Sequence, residues 1–181
     1  MALLGLALVL GGCGEDEPET PHVPFEPTFV PIAGGVGWIA PDPLVYRRPS
    51  NPMRSAEYIM REHPDAVLAV SYFPPNQGGG GDVRRNVSRW VGQLQRAPGD
   101  RPNIQERTIN GLEVTTVDVR GTFVGRLGTG GNNPPRVGWR ILGAIVEGER
   151  GLVFFKFIGP EGALAEAQDA FDELVESIHP E

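Results

Sequence analysis

Four consecutive glycines, Gly78 to Gly81, run directly into Asp82-Val83-Arg84-Arg85. A glycine-rich loop ahead of a helix can cradle phosphate, because unhindered backbone N–H groups and the positive helix end converge on an anion. That chemistry also needs a Lys for the phosphate charge and a Ser or Thr for Mg²⁺, and neither stands directly after Gly81. Asp82 is instead placed to cap the helix and occupy the N–H groups an anion would want. The loop therefore reads as a strand-to-helix connector. Two binding candidates flank it: Asn76 and Gln77 at its rim, and Arg84, Arg85 and Arg89 as a small basic patch for a phosphate-bearing lipid, a glycan or an acidic partner. Turn chemistry explains the first pair equally well. A solvated helix face with an Asp82–Arg85 pair explains the second set.

No other residue set has the spacing of a reaction centre. His22, His63 and His179 are isolated, with no metal-ligand or H-E-x-x-H spacing, so no metal and no cofactor is expected. A Ser/His/Asp triad is spatial and leaves no fixed spacing, and no G-x-S-x-G elbow is present. Trp38, Trp90 and Trp139 are candidates for a carbohydrate or peptide platform, although Trp90 lies on the apolar stripe of its helix.

The elements that must hold these residues follow from periodicity. Gly37 to Ala40 is a short strand candidate, followed by a turn-rich connection. Arg54 to Met60 and Val67 to Phe73 read as strands of an antiparallel hairpin. A helix is expected from Asp82 to Gln95, with Val83, Val87, Trp90, Val91 and Leu94 on one stripe. Two strands flank Asn110-Gly111, the strongest short hairpin signal. Along the second of them Leu112, Val114, Thr116 and Asp118 alternate with Glu113, Thr115, Val117 and Val119, and neither set is cleanly apolar. A second hairpin turns at Gly148 to Gly151, and a last helix runs from Glu161 to Ile178. The class is α+β: an antiparallel β-sheet covered by helices. At 181 residues, with 40% hydrophobic and 22% charged, the chain is long enough for one packed domain. A net charge of -7 argues against a nucleic-acid partner, which calls for surplus Lys and Arg.

The N-terminus carries a different kind of signal. Ala2 to Leu10 is an apolar run too short to span a bilayer but suited to the core of a secretory signal. The following Leu10-Gly11-Gly12-Cys13 resembles the lipobox of bacterial lipoproteins, in which the peptide before Cys is removed and the cysteine is acylated. No Lys or Arg precedes the apolar run, a departure from the usual signal. The resemblance implies a signal peptide over 1–12, a lipidated Cys13 and a membrane anchor through it. Gly14 lacks the Asp that commonly retains such proteins at the inner membrane, which favours an outer-membrane, periplasm-facing site in the cell envelope. With Cys13, the only cysteine, committed to lipid, no disulfide remains to staple the fold. Residues 13–34 alternate proline with acidic and polar residues and read as a disordered tether.

The set "PMRSAEY", "AVSYFPPNQGGGGDVRRNVSRWVGQL", "INGLEVTTVDVRGTF", "GWRILGAIVE" and "VFFKFIGPEGALAEAQDAFDELVESI" resembles bacterial envelope lipoproteins whose folded part is a PsbP-like domain. It covers most of the chain from residue 35 to 181. The resemblance implies a PsbP-like sandwich, a central antiparallel sheet between helices, that acts by binding an envelope protein or component. The alternative is a small hydrolase or small-ligand-binding protein using the cleft beside Gly78 to Gly81. The oligomeric state is not legible in the sequence.

Overall fold

In the computed structural model, residues 31–125 and 134–181 are described. Cys13, His22, the signal segment and most of the tether lie outside them.

β1 (Ile32–Ala33) and β2 (Val36–Gly37) form a tight hairpin that straddles the boundary expected at residue 35. β3 (Leu44–Arg47), β4 (Ala56–Met60) and β5 (Val67–Tyr72) form a meander. After α1 (Val83–Val91) and the short β6 (Leu94–Gln95) come β7 (Asn103–Ile109), β8 (Leu112–Phe123), β9 (Arg136–Gly148) and β10 (Gly151–Pro160). α2 (Glu161–Glu166), α3 (Gln168–Glu176) and β11 (His179–Pro180) follow. The main sheet has the order β3-β4-β5-β10-β9-β8, with the outer edge of β8 shared in succession by β7 and β6. Every pairing is antiparallel. A small second sheet has the order β1-β2-β11.

All three expected hairpins form, two of them at the glycine turns that local chemistry marks. Asn110 and Gly111 have φ of +49° and +86°, the pair of left-handed conformations that matches the twist of the flanking strands. The β9–β10 pair closes at Gly148 and Gly151.

The two sheet faces carry separate cores. On one, Trp90, Val87 and Leu94 pack over Val117, Val119, Phe123, Trp139, Ile141, Ile145, Phe154 and Ile158. On the other, Leu164, Phe171, Leu174, Val175, Ile178 and Trp38 pack over Leu68, Val70, Leu142, Ala144, Val146, Phe155 and Phe157. β9 and β10 are thus buried on both faces, so "ILGAIV" and "VFFKFI" read as continuous apolar runs rather than an alternation. Gly143 is required here: a Cβ at that position would lie 2.4 Å from Trp90 Cζ3, because the indole fills the pleat a side chain would occupy.

Several expectations are corrected. The described residues are mostly antiparallel sheet, and the three short α-helices among them cover the sheet only in part. The last helix is broken at Ala167, where ψ is 8°, and Leu164, Phe171, Leu174 and Val175 remain buried on either side of the break. α1 ends at Val91 rather than Gln95. Leu94 is buried because β6 pairs it with Phe123, not because it continues the helical stripe. β3 lies inside the stretch expected to be a turn-rich connection. As an edge strand that buries only Leu44, it shows little alternation. The three tryptophans form no platform, since Trp38, Trp90 and Trp139 are all buried.

Candidate functional site

The glycine loop is occupied by its own backbone. Gly78, Gly79, Gly80 and Gly81 all have φ between +59° and +90°, a run that only glycine adopts without strain. The amides of Gly78, Gly79 and Gly81 donate to Pro75 O, Pro74 O and Gly78 O rather than facing an open cradle. A Cβ at Gly80 would lie 2.7 Å from the Phe154 ring. Asp82 caps α1, its Oδ1 accepting from Arg85 N at 2.8 Å. Asn86, buried, donates to Gly80 O (2.7 Å) and Asp82 O (2.9 Å), which clamps the loop onto the first turn of the helix.

The arginine candidates do not converge. Asn76 is exposed in the 3₁₀ turn Pro75–Gln77, which also contains Gln77. Arg85 is exposed and pairs with Asp82 at 3.7 Å. Arg84 turns to a small cleft with Glu106, Glu113 and Glu147. Arg89 donates to Asn86 Oδ1 at 2.6 Å. The three arginines thus point into different surroundings rather than forming one patch.

Two groups of charges that sequence spacing missed lie in the main sheet. On the α1 face, Arg47, Glu57, Ala69 and Lys156 stand in one cross-strand row running β3-β4-β5-β10. Glu57 is fully buried. Its Oε1 accepts from Arg47 Nε (2.7 Å) and Nη2, and its Oε2 accepts from Arg54 Nη1, Ser50 N (3.2 Å) and Ser50 Oγ (2.9 Å). Burial pushes this carboxyl up, but the donors from Arg47, Arg54 and Ser50 outweigh it and bring the pKa to about 2. Lys156, the only lysine of the chain, donates to Gln93 Oε1 at 2.5 Å. Burial, and then the charges of Arg89 and Arg54, bring its amine down to about 8.

On the opposite face, Arg140 is buried and donates from Nε and Nη2 to the two oxygens of Asp118, both at 2.8 Å. Nη2 also donates to Gln168 Oε1 at 2.5 Å, and Gln168 Nε2 donates to Asp172 Oδ2 at 3.0 Å. Arg120 links Asp118 (3.7 Å) to Glu161 (3.2 Å). Two clefts open beside this network. One of about 650 Å³ is lined by Arg96, Asp100, Asn103, Asp118, Arg120 and Glu161 among others. One of about 400 Å³ runs between β7 and α3, past Gln105, Arg107, Thr116, Gln168, Asp172 and Glu176. They share Asn103 and Asp118, so together they border β7. Six of the seven residues of β7 are exposed, and its only pairing among the described residues is with β8.

Each of the two described histidines has a carboxylate beside it. His63 Nε2 lies 3.0 Å from Glu166 Oε2. His179 Nδ1 lies 2.8 Å from Ser177 O, and Nε2 lies 3.0 Å from Glu181 Oε1.

Comparison with solved structures identifies the architecture. The solution structure of CyanoP, the cyanobacterial PsbP of Synechocystis sp. PCC 6803, aligns with a TM-score of 0.51 and 18% identity, over 82% of this chain and 88% of CyanoP. The fold is PsbP-like. A crystal structure of PA94 from Pseudomonas aeruginosa, a protein of unknown function, aligns with a TM-score of 0.44 and 12% identity, over 76% of this chain and 97% of PA94. No family model matches the chain, and no curated protein matches it.

One signal in the sequence would have found the missed groups. A single charged residue inside an apolar run, Lys156 in "VFFKFI" or Arg140 in "GWRILG", must either be paired or be used.

Proposed function

We propose that the chain is a lipid-anchored bacterial envelope protein whose PsbP-like domain works by binding an envelope protein, held near the membrane through acylated Cys13. The anchor rests on the lipobox resemblance at Leu10 to Cys13. The binding role is carried by one observation: the polar groove bordered by β7, whose outer edge has no strand partner among the described residues. A free edge of seven residues offers a row of N–H and C=O groups to an extended segment, and alternate side chains give selectivity. The charges lining the groove are largely paired with one another, Arg140 and Arg120 with Asp118, Arg120 with Glu161, and Arg107 with Glu176 at 2.6 Å. That favours recognition over proton transfer.

The anchor and the surface are tested separately. Labelling with a palmitate analogue is expected to mark the wild type and not Cys13→Ser, and label retained in the variant rejects the anchor. A photo-crosslinking residue at Gln105, exposed on β7 and lining the groove, is expected to give a discrete adduct in the native envelope. The same residue at Met53, exposed in the loop before β4, is expected to give none. Equal adducts at both positions, or none at Gln105, reject the groove.

A further inference from the structure

The α1 face holds more positive charge than it neutralises. Arg47 and Arg54 meet the Glu57 carboxylate, and Lys156, two strands along the same cross-strand row, feels the charges of Arg89 and Arg54. Both oxygens of Glu57 are already committed to Arg47, Arg54 and Ser50. Among the described residues Lys156 has no carboxylate partner, and its bond goes to the neutral amide of Gln93. Arg89, in the last turn of α1, is likewise bonded to an amide, Asn86 Oδ1. The other acidic groups beside α1 are Asp82, which caps its N-terminus and pairs with Arg85, and Glu106, Glu113 and Glu147, gathered around Arg84. Glu147 stands four residues along β9 from Gly143, the cross-strand partner of Lys156, a distance of about 13 Å.

We infer that Lys156, Arg89 and Arg54 form a binding site for a phosphate-class oxyanion, free or as a phosphate-monoester head group. The side chains are suited to it in three ways. Gln93 and Asn86 are neutral acceptors that orient Lys156 and Arg89 without cancelling their charge. Trp90 occupies the pleat over Gly143 beside Lys156, which walls one side of the seam with an apolar ring. Ser50, held against Glu57 in the loop before β4, keeps the carboxylate turned toward Arg47 and Arg54. An anion arriving at Lys156 would relieve the repulsion from Arg89 and Arg54, so binding and protonation of the amine favour each other. At pH 7 an amine with a pKa of about 8 is already charged roughly ten to one, so the site is cationic before the ligand arrives. The inference does not depend on the lipid anchor or on the groove at β7.

Lys156 also supplies the test, because it is the only side-chain amine in the protein. The full chain is pulsed with an acetylating reagent at pH 8, and modification of Lys156 is read by peptide mass. Inorganic phosphate is expected to slow the modification severalfold relative to chloride at matched ionic strength. Arg89→Gln is expected to raise the phosphate concentration needed for protection about tenfold, in line with the loss of one charge-assisted hydrogen bond. Arg85→Gln, on the same helix but paired outward with Asp82, is expected to leave protection unchanged. A second arm replaces phosphate with phosphatidylcholine vesicles, with or without phosphatidic acid. Protection in the phosphate arm assigns a soluble oxyanion, and protection by phosphatidic acid assigns a head group. Equal modification of Lys156 in every arm overturns the site, as does an Arg85→Gln effect as large as that of Arg89→Gln.

Discussion

Arg140 and Lys156 are held on neighbouring strands of one sheet, on opposite faces, and the protein treats them differently. Arg140 is closed into a bidentate contact with Asp118 and a third bond to Gln168, so its charge is cancelled where it is buried. Lys156 receives one amide oxygen and two like-charged neighbours. A buried ion that is fully paired belongs to the architecture, because removing its partner leaves an uncompensated charge. An ion drawn partly out of water and left partly paired costs stability continuously, and such a cost persists where the group has a use.

Breaking the paired side should produce the largest effect. Asp118→Ala strands Arg140 and is expected to cost about 3–5 kcal/mol, read as a shift of the urea midpoint at constant slope. Next comes an acid titration of stability. Glu57 has its carboxyl lowered from 4.5 to about 2, so its contribution is complete above pH 4.5 and is lost as pH falls toward 2. The 2.5-unit difference corresponds to about 3 kcal/mol, and a stability curve flat from pH 5 to 2 would contradict it. Lys156 has the opposite consequence. Its amine is lowered from 10.5 to about 8, so the unfolded chain binds more protons between those values and stability should rise with pH across that window. Lys156→Met should abolish that rise and stabilise the fold by about 1–3 kcal/mol at neutral pH. Destabilisation by Lys156→Met would mean that the amine is structurally paired after all. The smallest effect belongs to a surface pair far from both: Arg85→Ala, which loses only the exposed contact to Asp82, should change stability by no more than about 0.5 kcal/mol.

Local chemistry made part of this legible. Asn110-Gly111, the Gly148 to Gly151 turn, the stripe of Val83, Val87 and Trp90, and Asp82 as a cap each act within a few residues, so the sequence displays them directly. The strands β6 and β11 are two residues long and exist because a partner far along the chain pairs with them, so no local pattern announces them. The alternation in β8 was unclear because both of its faces are covered: Val117 and Val119 lie under the α1 side, and Thr116 and Asp118 border the cleft beneath α3. The charged seam was hidden for the same reason. Lys156 and Gln93 are 63 residues apart, and Arg140 and Asp118 are 22 apart, so the meaning of each appears only when the strands are laid side by side. The arginines of α1 are consecutive or one turn apart, which suggested a patch, yet the helix turns Arg84 toward carboxylates and Arg89 toward Asn86.

The small β1-β2-β11 sheet has a consequence for how the domain carries load. β1 and β11 flank β2 on either side, so residues 32 and 180 are separated by about 10 Å, two strand spacings. Glu181 N also donates to Gly35 O at 3.0 Å. A pull applied through the segment before Ile32 is therefore met first by two-residue ladders, while the long β8-β9-β10 ladders stay out of the force path. The short ladders are therefore expected to part before the long ones, as a mechanical fuse at the entrance of the domain. The same proximity makes the chain a candidate for circular permutation, with a short linker joining 181 to 31 and new ends placed in the exposed connection between β6 and β7.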